Sequence, residues 1–72
     1  MDKKIVEYWE QKTKAENIVD AFCNLYWTSR ATLEAVLKCY TKKDFLAAAK
    51  VAEQRNCMDF VCRELWARYH KQ

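Results

Sequence analysis

The residues of this 72-residue chain with the chemistry to hold a metal or attack a carbonyl are Cys23, Cys39, Cys57, Cys62, His70, Ser29 and a few paired carboxylates. Zinc needs several thiolate or imidazole ligands converging at short spacing. Cys57 and Cys62 are five residues apart, about 140° around a helix, and no ligand pair has zinc-motif spacing. His70 falls in the last turn of a helix, where the helix dipole favours a solvated cation and no rigid pocket encloses a general base. Ser29 is placed to cap a helix, and a chain with no glycine cannot form the sharp elbow or oxyanion turn of a nucleophilic serine. Glu7 with Glu10 is a pair of surface acids without a cavity to raise a pKa. No catalytic residue, no metal and no cofactor are therefore expected, and the chain reads as a non-enzyme. The cysteines are expected to be reduced core thiols of a cytoplasmic protein.

Binding is the remaining chemistry, and two surfaces compete for it. The balance of 13 Lys and Arg against 10 Asp and Glu gives a net charge of +3, which permits an anionic partner without demanding one. A small helical domain of this kind can read the DNA major groove. One helix-turn-helix register places Ala52, Asn56, Cys57, Cys62 and Leu65 at the small, turn and apolar positions. Its second helix then presents Met58, Asp59, Phe60, Arg63 and Glu64, a set whose two acids repel phosphate. In the other register Leu33–Cys39 supports a reading helix, Lys42–Arg55, that presents Lys42, Lys43, Lys50, Gln54 and Arg55 to phosphates and base edges. The same lysines would equally serve to solvate a helix face.

The rival surface is aromatic. Three Trp, four Tyr and three Phe are many for a core this small, and aromatic side chains dominate binding hot spots. Tyr8, Trp27 and Phe60 fall outside the apolar stripes. Phe60 is about 160° from the mean direction of Met58, Val61, Cys62 and Leu65, so it faces solvent, another helix or a partner.

The elements that position these residues are all helical. At 8.6 kDa the folded surface should be roughly 4,700 Å2 against about 12,500 Å2 unfolded, enough for one modest core. That size excludes a dinucleotide-binding sheet or a closed barrel, and no segment alternates like a strand. Without glycine or proline, boundaries must come from caps and from breaks in the 3.6-residue period. Asp2 caps a first helix carrying Ile5, Val6 and Trp9. Thr13 with Glu16 has the spacing of a capping box and opens a second helix, Lys14 to Trp27, unless residues 3–27 form one bent helix. Ala15, Ile18, Phe22, Leu25 and Tyr26 line its inner side. Ser29, within Thr28-Ser29-Arg30, caps a third helix with the stripe Leu33, Val36, Leu37 and Tyr40, and Glu34 and Lys38 pair on its outer face. Thr41 and Asp44 form a weaker box before a fourth helix ending near Arg55. Its inner residues Phe45, Ala48, Ala49 and Ala52 are small enough to make it the central helix. Asn56 takes the left-handed conformation that ends that helix and also caps a fifth, to about His70, with Met58, Val61, Cys62, Leu65, Trp66 and Tyr69 inside.

The stretch Phe45–Leu65, FLAAAKVAEQRNCMDFVCREL, resembles the helical pair near the end of BTB domains, an Ala-rich helix followed by one with a buried Cys. The strands that precede that pair in the family have no counterpart here, and no site is carried over.

The expectation is an all-α compact bundle of four or five short helices in a single domain spanning residues 1–72. Its predicted core is Phe22, Leu25, Leu33, Val36, Leu37, Phe45, Ala49, Ala52, Val61, Cys62, Leu65 and Trp66. The first residues lead into an amphipathic segment instead of an apolar one, and no run approaches a membrane span, so no membrane partner is expected. The function expected is that of a small regulatory or inhibitor protein that binds a larger protein, of a size that viruses and mobile elements encode. A helix-turn-helix DNA-binding regulator is the alternative, and a homodimer is compatible with either.

Overall fold

Asp2 starts the first helix by accepting a hydrogen bond from the Lys4 backbone N–H at 2.9 Å. The computed structural model describes residues 2–71. From this cap a single helix, α1 (Lys3–Leu25), runs without interruption. It is followed by α2 (Arg30–Leu37), α3 (Lys42–Gln54) and α4 (Asp59–Lys71), so that over the described residues the protein is all-α and 81% helical, with four helices, the lower of the two expected numbers.

The expected box at Thr13 and Glu16 does not form, because both residues lie inside α1. The stripe Ile5, Val6 and Trp9 is about 140° around the helix from the stripe Ala15, Ile18, Val19 and Phe22, and that change of face imitates a break. With neither glycine nor proline to stop it, each added residue gains its i→i−4 bond and the helix continues. The result is an arm whose residues from Asp2 to Glu10 are all exposed, with Ile5 53% and Trp9 56% accessible. The arm explains the overall dimensions of 40 × 24 × 22 Å. It also accounts for an accessible surface of 5142 Å2 where a rounder molecule of this mass would show roughly 4,700 Å2.

α3 is the central helix. Its buried face is Phe45, Ala48, Ala49 and Ala52, and it packs against both α1 and α4. Gln11 meets Asp44 at 2.8 Å and Asp20 meets Arg55 at 3.4 Å, which makes α1 and α3 parallel. Trp66 Nε1 donates to Glu53 Oε1 at 2.6 Å, and Lys42 Nζ lies 5.0 Å from the Tyr69 ring centre, which makes α4 antiparallel to α3. α2 packs on α1, capped by Ser29 as expected. Glu34 does not pair with Lys38, which lies beyond the helix end. It takes both Nη groups of Arg68 on α4, the Nη1 arm at 3.2 Å, and is thereby drawn toward the bundle. The Arg68 guanidinium also stands 5.7 Å from the Phe22 ring, so it is a packed side chain as well as a charge.

Asn56 ends α3 with φ 52, the left-handed value expected of it. The Cys57 N–H donates to Ala52 O at 3.0 Å and the Asn56 N–H to Glu53 O at 3.2 Å, the paired bonds of a Schellman motif. Asn56 does not cap the next helix. The Met58 carbonyl accepts the first bonds of α4, from Val61 and Cys62, and Met58 itself is left exposed outside the helix.

The core is Ala15, Ile18, Val19, Phe22, Leu33, Leu37, Phe45, Ala48, Ala49, Ala52, Val61 and Leu65. Leu25, Cys62 and Trp66 are half-buried at its edge, Val36 is half-buried without joining it, and Cys23 and Cys39 are exposed instead of internal. Val19, beside Ile18, is fully buried although the expected inner side of the helix does not include it.

Asp44 is the buried charge of this core. Its Oδ2 accepts from the Thr41 N–H at 2.9 Å and from the Thr41 hydroxyl at 3.1 Å, while its own N–H donates to Thr41 Oγ1 at 3.4 Å, so the box is complete. Gln11 Nε2 donates to the other oxygen. Burial pushes the Asp44 carboxyl up, but the Thr41 and Gln11 hydrogen bonds outweigh it and hold the group below its ordinary 3.8. Because the folded pKa is depressed, this stabilisation is full above about pH 3.8 and is lost as pH falls through the lower folded value. The Asp44→Asn variant should lose about 2 kcal/mol at neutral pH, a fall of on the order of 10 °C in thermal midpoint. Thermal melts followed by circular dichroism should show the gap between the two proteins narrowing as pH drops toward about 2. A gap independent of pH would mean that the Asp44 charge does not stabilise the fold.

Candidate functional site

The end of α1 and the start of α4 meet at one end of the bundle, and there the aromatic surplus collects. Tyr26 is the C-cap of α1, its N–H bonded to Phe22 O at 3.2 Å, and its ring stacks 6.4 Å from the core ring of Phe22. Phe60, in the first turn of α4, packs 4.7 Å from Tyr26. Phe60 therefore faces another element, the α1–α2 turn, and is half-buried there.

Trp27 lies on top of this pair. It stands edge-on to Tyr26 at 4.9 Å and to Phe60 at 5.5 Å, and yet is 74% exposed. Edge-to-face pairs at these separations are attractive by about 0.5–1.5 kcal/mol each, so the indole is restrained while one face stays open to solvent. Arg30 lies with its guanidinium carbon 4.1 Å from the Tyr26 ring centre, where a cation–π contact backs the cluster from α2. Tyr26, Phe60, Arg63, Glu64 and Ala67 line an open groove of about 350 Å3 beside it. Positions 60, 63, 64 and 67 are one face of α4, so the groove follows that helix.

Tyr8 does not join them. It is 59% exposed on the arm, edge-on to Trp9 at 5.3 Å, and stands roughly 25 Å along α1 from the Trp27 turn. With Gln11, Lys12 and Ala15 it faces Ala47, Lys50, Val51 and Gln54 of α3 across a second groove of about 210 Å3. The Lys12 ammonium rests 5.2 Å from the Trp9 ring.

The basic set is exposed throughout, but its members face different ways. Lys42 rests on Tyr69 of α4, and Arg55 is tied to Asp20 of α1. Lys43, Lys50 and Gln54 share the outer face of α3. The second helix-turn-helix register requires its first helix to support its second, yet α2 packs on α1 and not on α3. The first register does join two packed helices, α3 and α4, and presents the mixed set Asp59, Arg63 and Glu64.

Among the described residues no group of three or more His, Cys, Asp or Glu side chains is arranged to hold a metal ion. His70 stacks its imidazole on Trp66 at 6.2 Å near the end of α4. Among the described residues no helix is long and apolar enough to cross a membrane. Spacing alone could not show that Tyr26 and Arg30 belong to the aromatic site, because Tyr26 falls on the inner stripe of α1 and reaches Trp27 and Phe60 only where the helix ends. No family model matches the chain, and no curated protein or solved structure matches it.

The cluster assigns separate roles to its two outer rings. Trp27→Ala should cost about 1 kcal/mol, the low end of what its two edge-to-face contacts supply, since most of the side chain is already in water. Phe60→Ala, which uncovers Tyr26, should cost about 2 kcal/mol. Urea denaturation of both variants checks this, and equal costs would mean that Trp27 is a structural residue.

Proposed function

We propose that this protein is a non-catalytic regulatory or inhibitory module that binds a larger protein through the Tyr26–Trp27–Phe60 face. The observation that carries the reading is Trp27, exposed over three quarters of its surface but held by two neighbouring rings. A large apolar side chain restrained before binding loses little rotamer freedom on contact, which is what makes a tryptophan an anchor. Arg63 and Glu64 beside the groove supply charges of both signs for a polar rim.

Lys43, Lys50 and Gln54, together on the outer face of α3, favour the second reading, a DNA-binding regulator. A phosphate-tracking protein loses affinity steeply with salt, whereas an aromatic-anchored interface changes little. Affinity capture with the tagged protein, nuclease-treated and run at low and high salt, separates the two. A stoichiometric protein partner should remain at high salt, and Trp27→Ala should weaken its affinity about 30-fold or more while Lys43→Ala and Lys50→Ala leave it unchanged. Nuclease-sensitive material lost with Lys43 and Lys50 but not with Trp27 would overturn the proposal in favour of DNA.

A further inference from the structure

Between α1 and the α3–α4 turn the chain is tied at two levels, Asp20 to Arg55 at 3.4 Å and Tyr26 to Phe60 at 4.7 Å. Midway between Asp20 and Tyr26 is Cys23, and midway between Arg55 and Phe60 is Cys57. Two strips of chain held together at both levels bring these thiols into register, with Cys57 near enough to help push the Cys23 thiol up. Cys62 completes a thiol cluster, its Sγ 4.0 Å from the Cys57 carbonyl oxygen. Cys39 lies elsewhere, beyond the end of α2, with its Sγ 3.8 Å from Ala35 O. Cys23 is exposed and Cys57 is half-buried, so a small oxidant reaches one of the pair directly.

We propose that Cys23 and Cys57 form a redox modification site, closed to an intramolecular disulfide by exchange with a low-molecular-weight disulfide such as oxidised glutathione. The Cys23 thiolate attacks one glutathione sulfur and the other glutathione leaves as a thiolate. The Cys57 thiolate then attacks the Cys23 sulfur of the mixed disulfide and displaces the second glutathione. The two thiol protons end on two molecules of reduced glutathione, and the two electrons taken from Cys23 and Cys57 reduce the one glutathione disulfide. Burial, with the neighbouring Cys57 and Asp20 adding to it, pushes the Cys23 thiol up, so the exchange is slow at neutral pH and accelerates in mild alkali.

Once made, the bridge fastens α1 to the turn that carries Phe60. It closes a long loop in the unfolded chain, and should raise the thermal midpoint by on the order of 10 °C.

The test is incubation of the full chain with oxidised glutathione at mildly alkaline pH, followed by intact mass, non-reducing peptide mapping and a thermal melt. Cys39→Ser and Cys62→Ser are run in parallel to remove competing thiols. A monomer lighter by two hydrogens, a mapped Cys23–Cys57 peptide pair in all three proteins and a raised midpoint are expected. Cys23→Ser and Cys57→Ser should instead stop at a glutathione adduct. A Cys57–Cys62 bridge, covalent dimers, or adducts that persist on the unmutated chain without closure would overturn the proposal.

Discussion

The fold depends on the small-residue face of α3. Ala48, Ala49 and Ala52 are fully buried on one face of a helix that packs against both α1 and α4, so each of those helices can approach its backbone. The bulk that fills the space around them comes from Phe22, Phe45, Ile18, Leu33, Leu65, Val19 and Val61, the largest fully buried side chains. Larger residues at the alanine positions would force the flanking helices apart and separate those side chains, at a cost of about 1–3 kcal/mol for each overpacked site.

Everything at the functional end follows from that arrangement. Because α1 and α3 are parallel, the chain must return along the bundle between them, and α2 with its two turns does this. α4 then starts where α1 stops, and the first residues of α4 meet the last of α1. Asp20–Arg55 and Tyr26–Phe60 are two levels of one seam, an ion pair and an aromatic pair, and Cys23 and Cys57 fall between them in the sequence. Trp27 sits at its outer end. The ion pair is exposed and adds little stability on its own. The aromatic contacts beside it join the seam to Phe22 and so to the core.

Much of the architecture was legible in the sequence, for physical reasons that differ by element. Thr41 and Asp44 announced α3, and Asn56 its end, because caps act within a few residues and are written locally. The stripes of α2, α3 and α4 were legible since each buries one face. The continuity of α1 was legible only as an alternative, because a helix that changes its buried face halfway looks like two helices. Glu34 was misplaced for a related reason. A local partner, Lys38, stood four residues away, while the actual one, Arg68, is 34 positions distant. At the aromatic face Trp27 and Phe60 stood out as residues off the stripes, and their mutual contact depends on tertiary packing. Tyr8 stood out by the same criterion but belongs to the arm, as periodicity identifies an outlier without saying where the fold carries it. The function remains a proposal resting on that geometry.

Native-state hydrogen exchange tests the central claim, that α3 is the spine on which the rest is assembled. The backbone amides from Phe45 to Ala52 should be the slowest in the molecule and exchange only through global unfolding, while those from Ile5 to Glu10 on the exposed arm should exchange through local opening. Protection in α3 no greater than in the arm, or a most-protected segment in α2, would contradict it.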